Sequence, residues 1–519
     1  MNARLARTPS DADGRSNAGA WPTAVAGGFA LLFLAKLWLA ATVEPLVDEA
    51  FYWQCGARPA IAYVDHPPLT ALLVRAGVEL FGHSTLGVRA FFLIASALFP
   101  WLVFALARRL AGRRDAWLAA GGTLVVPGTA YLGLIAIPDV WILTLTAVFV
   151  LALERATSGS RSAWLLAGLA GALGLSTHYR FSVECACGLV FLVATRAGRA
   201  QWKHAGPWTA VAIAALGFSP ALIVNLHEGF EPLRYYFEGR HDSQIDPEGW
   251  VRFIGQQLGI AGPLMLPAFA ITFVHVVRRA RRGDDRAQLM ACFAVLPIAL
   301  FFVASAWESS ALPTLHWPVP AYVPLFAYLP SALREFAARG GAWRRAFVRL
   351  APASGVLVVG FMLYELGSPR PFTELRFRHF SGAREVAARV DAMLAGSSKK
   401  PLLVVDNYEF GSRVAFYVQS DVDLYVLDHK SNRHHGRAHQ YDLWHMSERD
   451  LAQRAGEDAL VVMERGSDLK HSRWAAHVAS LFEELELVDE HARANPRDAG
   501  DLRRVRLFRG SRIRGDTGG

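Results

Sequence analysis

Apolar stretches long enough to cross a bilayer, separated by short arginine-rich connections, constrain this chain more than any other feature. A span needs about 20 mostly apolar residues. Segments near 21–43, 87–107, 115–133, 138–154, 162–177, 181–195, 207–226, 253–277, 287–306, 317–333 and 346–366 read as membrane helices, about eleven in all. Several are short or carry Gly and Pro, which membrane helices tolerate where neighbours satisfy the loosened backbone. Composition agrees, since 53% hydrophobic residues and a positive mean hydropathy are too apolar for an ordinary soluble protein.

The arginines give the orientation. One set of connections carries roughly 21 Lys and Arg residues, including Arg108, Arg109, Arg278, Arg279, Arg334 and Arg344, against about six on the alternate loops. The rich side belongs in the cytoplasm, so residues 1–20 form an inner tail. The loops 44–86 and 227–252, and everything after 367, then lie outside, which places the chain in a cell (inner) membrane. Because the formal charge of +9 sits between apolar segments, orientation explains it better than nucleic-acid binding does. Arg4, Arg7 and Arg15 ahead of an apolar run with Ala40 and Ala41 near its end also fit a signal peptide. The run from Trp21 to Val43 is long enough to span, and it is read as a retained anchor. Cys55, Cys185, Cys187 and Cys292 suggest neither a disulfide framework nor a CxxC pair.

After the transmembrane region 21–370, composition turns to soluble α/β character over 371–510, and the tail 511–519 reads as disordered. Helices are expected at 381–394 and 410–418, and strands at 401–405, 424–427 and 459–463. The fold class is therefore an α-helical polytopic membrane protein with a small C-terminal α/β domain outside the cytoplasm.

The first outer loop is richer in polar and aromatic groups than a connection requires. Asp48 shares a helix face with Tyr52, and Glu49 shares one with Trp53, at four-residue spacing. A carboxylate beside an aromatic surface suits a sugar ring; the simpler reading is a helix cap and an interfacial aromatic belt. Asp65 and His66 ahead of Pro67 and Pro68 either start a helix or form a pair, with His66 donating to a phosphate or sugar hydroxyl. Asp139, His178, Tyr179, Arg180, Asn225, His227, His316 and Trp317 all fall at span ends on the side of Asp48. Ionisable residues gathered at one membrane face usually mark a site. Lys36, inside the first span, is expected to snorkel or to pair with a helix neighbour.

These pieces resemble the dolichyl-phosphate-mannose protein mannosyltransferase superfamily, with its bacterial members and the aminoarabinose lipid A transferases. The resemblance rests on DEAFYW at 48–53, YVDHPPL at 63–69, FGHSTLGVR at 81–89, IPD at 137–139, NLHEGFEPLRYYFEGRH at 225–241 and HWPVPAYVPL at 316–325. It departs from the family pattern at His178-Tyr179, where relatives often have Lys-Tyr.

The resemblance implies a GT-C-like fold and transfer of a sugar from a polyprenyl-phosphate donor, by single displacement. The acceptor is an extracytoplasmic lipid A, other envelope glycolipid or protein. Asp48 is then the general base, and Glu49 and Asp139 position the acceptor or stabilise charge on the sugar. His66 and Arg180, and more weakly Arg89, are phosphate candidates. Tyr52, Tyr63, Asp65, His178, Tyr179, Asn225, His241, His316 and Trp317 complete the expected substrate site. The scheme requires no metal and leaves divalent-metal dependence open. Asp421-Val-Asp423 is a DxD, set aside because it precedes a strand in an outer domain where nucleotide sugars are not expected. The basic, His-rich stretch 430–439 lacks zinc-ligand spacing and reads as a solvated loop that contacts an anionic acceptor. A lipid or sugar transporter is the alternative from another class, but no repeated halves are visible.

Overall fold

The computed structural model describes residues 20–230, 245–307, 316–369, 371–373, 379–380, 382–395, 400–464, 473–494 and 502–515. His241 lies outside the described residues, as do residues 1–19 and 516–519 of the expected tails.

The helices of the apolar region are α1 Ala20–Thr42, α2 Val47–Ala57, α3 Leu69–Phe81, α4 Thr85–Ala111, α5 Arg113–Leu124, α6 Pro127–Tyr131, α7 Asp139–Thr157 and α8 Ser162–Thr177. They continue with α9 Phe181–Ala194, α10 Arg196–Gln201, α11 Ala205–His227, α12 Glu248–Ala261, α13 Met265–Arg281, α14 Asp285–Ala304, α15 Tyr322–Ala338 and α16 Ala342–Gly367. Among the described residues six helices are long and apolar enough to cross a membrane, or seven if the bent pair α12 and α13 counts as one. The expectation of eleven rests for the remainder on shorter or broken helices. The segment 253–277 is not one continuous helix, because the chain turns by 103° between α12 and α13, where Gly262 adopts a φ of 93° that side chains resist. The segment 115–133 is likewise broken after α5 by Pro127, which opens α6 without an N–H to offer. At 16 and 14 residues, α8 and α9 reach only about 24 and 21 Å, short of a hydrocarbon core of about 30 Å.

Packing ranks the helices. In α7, 78% of the apolar window is buried, against 17% in α11 and in α16, so α7 is central and the others face outward. Small residues bring α8 and α11 together: a Cβ on Gly217 would lie 2.3 Å from the Ala172 backbone, the close approach that such interfaces use. Lys36 pairs inside the bundle, donating to Ser96 Oγ at 2.5 Å and Leu132 O at 2.7 Å.

The two ends of α7 differ in chemistry. At its far end buried Glu154 accepts from Arg109 and lies 3.1 Å from Arg286, and nearby chain ends are tied by Arg334 to Asp115 at 2.8 Å. These are the arginine-rich connections. Asp139, 15 residues and about 22 Å away along the helix, opens the end where the site forms.

The C-terminal region carries α17 Ala383–Leu394, α18 Tyr408–Tyr417, α19 Lys430–His434 and α20 Ala438–Leu443, and a five-stranded sheet. Its strands are β1 Leu402–Val405, β2 Asp423–Val426, β3 Ala459–Met463, β4 Phe482–Ala494 and β5 Leu502–Ile513, in the order β2-β1-β3-β5-β4. β1 is parallel to β2 and β3, while β5 is antiparallel to β3 and β4. The expected first three strands are present. The expected disordered tail is corrected in part, since Ser511 and Ile513 pair with Glu484 and Phe482. One face of the sheet joins the membrane part: Leu403, Val405, Tyr408, Phe410 and Tyr441 belong to the same buried cluster as Phe51 and Tyr52.

Candidate active site

Helix α2 divides its two acidic residues. Leu46 is its N-cap, and Glu49, at the third helical position, accepts from the Leu46 N–H at 2.8 Å. Capping therefore falls to Glu49, not to Asp48. Glu49 also accepts from Arg89 Nε at 2.7 Å, Arg89 Nη2 at 2.6 Å and the Ala136 N–H at 2.7 Å. That fills the capacity of a carboxylate. Arg89 gives its remaining donors to the Ala40, Val43 and Glu44 carbonyls, so all five are engaged. Both side chains are sealed, at 0% and 1% exposure. Glu49 and Arg89, expected to meet substrate, form a staple joining α2, α4 and the chain before α7.

Asp48, one residue earlier, keeps 43% side-chain exposure. Its Oδ1 accepts from Arg437 Nη2 at 3.2 Å. Asp65 accepts from Arg437 Nη1 and lies 2.7 Å from His66 Nδ1. Helix α3 starts after Pro68 with no side-chain cap, which frees Asp65 from the helix-start role. Burial raises the Asp65 carboxyl, but the Arg437 guanidinium and His66 more than reverse this and hold it at about 2. His66 packs between Tyr52 and Tyr63, with centroids at 4.8 and 4.9 Å, and its buried Nε2 has no partner among the described residues. Tyr63 is fixed by donating to the Cys55 carbonyl at 2.7 Å.

A second group adjoins this one. Asp139, at the first position of α7, accepts from Arg180 at 2.8 Å and lies 3.2 Å from His316 Nε2. The Arg180 guanidinium stands 5.2 Å from the Trp317 ring centre, a cation–π distance. His178 ends α8, and its Nδ1 accepts from the Arg180 N–H at 3.1 Å. Tyr179 faces Asn225 at the end of α11 and lies in the field of Asp65, while Thr70 of α3 donates to the Thr177 carbonyl at 3.3 Å. Asp48, Asp65, His66, Asp139, His178, Tyr179, Arg180, Asn225, His316 and Trp317 thus share one end of the bundle. Among the described residues no three His, Cys, Asp or Glu side chains gather as a metal site. The DxD carboxylates are held by cations, with Lys400 at 3.1 and 2.9 Å and Arg454 at 2.9 Å from Asp423.

Comparison with known proteins gives this arrangement a context. Residues 65–224 match the family described as dolichyl-phosphate-mannose-protein mannosyltransferase. The structure superposes on that of ArnT from Cupriavidus metallidurans with a TM-score of 0.63 at 14% identity, covering 96% of this chain and 100% of that one. The undecaprenyl phosphate-bound structure of the same protein gives 0.62 at 16% identity, covering 95% and 98%. The chain therefore shares the fold of that ArnT. It is a multi-pass membrane protein. The lipid A galacturonosyltransferase RgtD of Rhizobium johnstonii is 26% identical over 306 residues, 57% of this chain and 62% of that relative's length.

Within this fold, the residue that sequence reasoning missed is Arg437. The stretch 430–439 is not a solvated loop: α19 and the start of α20 bury Asn432 and Arg437. Arg437 also lies 3.9 Å over the Phe51 ring. Only its membership of a basic stretch marked it.

Proposed function

We propose that this protein transfers a sugar from a polyprenyl-phosphate donor to lipid A or a related envelope glycolipid, on the outer face of the inner membrane. The observation that carries the reading is the half-exposed Asp48 carboxylate, held beside a buried aromatic and histidine cluster at one end of a GT-C bundle. The lipid acceptor is favoured by the RgtD match, whose extent exceeds that of the family match. The arginine-rich inner connections favour a cytoplasmic amino terminus and an outer C-terminal domain.

In this reading Asp48 takes the proton of an acceptor hydroxyl as that oxygen forms a bond to the anomeric carbon. The bond from the anomeric carbon to the phosphate oxygen breaks, the electron pair leaves with the polyprenyl phosphate, and the anomeric centre inverts. Arg180, and His66 through its Nε2, stabilise the phosphate. Asp139 keeps Arg180 oriented against Trp317. Tyr52, Tyr63, Tyr179, Asn225, His178 and His316 shape the sugar and phosphate surroundings.

The test is to incubate purified protein with polyprenyl-phosphate sugars and lipid A, or alternatively a peptide, and identify products by mass spectrometry. Lipid A bearing one added sugar is the expected product. Glycosylated peptide alone would move the acceptor class, and no product with any donor would remove the reading.

A further inference from the structure

Asp48 and Arg437 lie 389 residues apart in sequence, and the C-terminal domain brings them together through a hydrogen-bonded seam. Glu44 receives the Gly382 and Ala383 N–H groups at the start of α17, at 3.2 and 3.0 Å. Arg413 of α18 donates to the Pro45 carbonyl at 3.0 Å. In α20, Gln440 accepts from the Val64 N–H at 3.0 Å and Tyr441 donates to Gln54 at 2.8 Å. These contacts hold the first loop at Glu44, Pro45, Gln54 and Val64, so Arg437 arrives on a fixed base.

We propose that Arg437 is a positioning residue for the first-loop carboxylates, through which the C-terminal domain completes the active centre. The inference rests on Asp48 being the base. One guanidinium bridges Asp48 and Asp65 while its face covers Phe51. A planar fork can hold two carboxylates at once, and an ammonium cannot do so with the same geometry. The bond to Asp48 Oδ1 leaves Oδ2 without a donor among the described residues, so the carboxylate is oriented yet keeps an acceptor for the acceptor proton. Without the cation, two neighbouring carboxylates in a mostly buried setting would repel, and one would take up a proton.

Other titratable groups surround this pair. Tyr52 and Cys55 come from α2, Tyr131 from α6, and His66 and Tyr179 face Asp65. Tyr408, Glu409 and His435 approach from the C-terminal side. Of the latter three, His435 alone belongs to the class that ordinarily titrates near neutrality, and it serves as the control.

The experiment measures kcat and KM across pH for the intact protein and for Arg437→Gln, Arg437→Lys, His435→Asn and Asp48→Asn. Arg437→Gln is expected to lower kcat about tenfold or more with donor KM nearly unchanged, and to move the acid limb of kcat/KM upward by about a unit, since a carboxylate deprived of its arginine holds its proton to higher pH. Arg437→Lys should return the limb most of the way without restoring full kcat. Should the glutamine variant not fold, the lysine variant is read alone: an intermediate limb supports the proposal, and a wild-type profile overturns it. A uniform loss at every pH with an unmoved limb would make Arg437 merely structural and overturn the proposal, as would a limb that moves with His435→Asn. If Asp48→Asn turns over normally, the base assignment itself fails; if it is inactive while Arg437→Gln keeps the wild-type profile, only the Arg437 proposal fails.

Discussion

Asp48 and Glu49 are chain neighbours on one helix, and each pairs with an arginine, yet they have opposite fates. Glu49 is sealed against Arg89 with every acceptor and donor of the pair engaged, while Asp48 shares Arg437 and keeps 43% of its side chain open. A step of about 100° around α2 separates them. Carboxylate identity therefore says little about role here. What distinguishes a staple from a reactive group is how many of its hydrogen-bonding positions the protein already fills.

The sharpest way to break that contrast is to remove the sealed partner. Glu49→Gln leaves Arg89 buried without its counter-charge, and the loss of one member of such a pair costs about 3 to 5 kcal/mol. The expected outcome is poor accumulation and a much lower melting temperature. A normal melting curve with lost turnover would return Glu49 to the chemistry.

A smaller effect is expected where a group meets the donor. Arg180→Ala and His66→Ala should weaken donor use by about 1.5 to 3 kcal/mol each through lost charge-assisted contacts, with little change in folding. Steady-state kinetics against the polyprenyl-phosphate sugar checks this, and an unchanged donor KM and kcat in a folded variant would remove that residue from the phosphate site.

The Arg437 seam has a pH signature. Asp65 is held at about 2, below its ordinary value of 3.8, so its contribution to stability is fully present above the ordinary value and is lost as pH falls from about 4 toward 2. Protection of the C-terminal domain from proteolysis should persist at pH 5 and fail only in that acidic window, and Asp65→Asn should flatten the dependence. Loosening already near pH 6 would contradict the pairing. The smallest effect belongs to the DxD: Asp421 is exposed and, among the described residues, paired only with Lys400, so Asp421→Asn should change stability by under about 0.5 kcal/mol and leave turnover unchanged. A loss of activity would reopen a metal role.

Much of this was readable in the sequence because it is written locally. Apolar runs located α1, α4, α7, α11, α14 and α16, and the first-loop signature marked Asp48, Asp65 and His66. Strands β1 and β3 are short continuous apolar runs, legible for the same reason. The hairpin of β4 and β5 was missed because Glu483, Glu484, Glu486, Asp489 and Glu490 alternate poorly with apolar residues; cross-strand pairs such as Glu490 with Arg504 and Arg506 hold it instead. The break between α12 and α13 was signalled by Gly262-Pro263, but membrane helices carry such pairs often enough that the signal did not decide. Arg437 and the staple role of Glu49 were illegible for a different reason: both depend on partners brought from distant chain positions, and local pattern carries no record of them.

The central claim is that Asp48, not Glu49, takes the acceptor proton. Its most direct measurement is single-turnover sugar transfer by folded Asp48→Asn, with donor binding measured on the same sample. The amide keeps the shape of the side chain and its bond position to Arg437, but it accepts no proton. The account predicts a loss on the order of 100-fold or more with donor binding and melting temperature near those of the parent protein. Near-normal turnover by Asp48→Asn would contradict it.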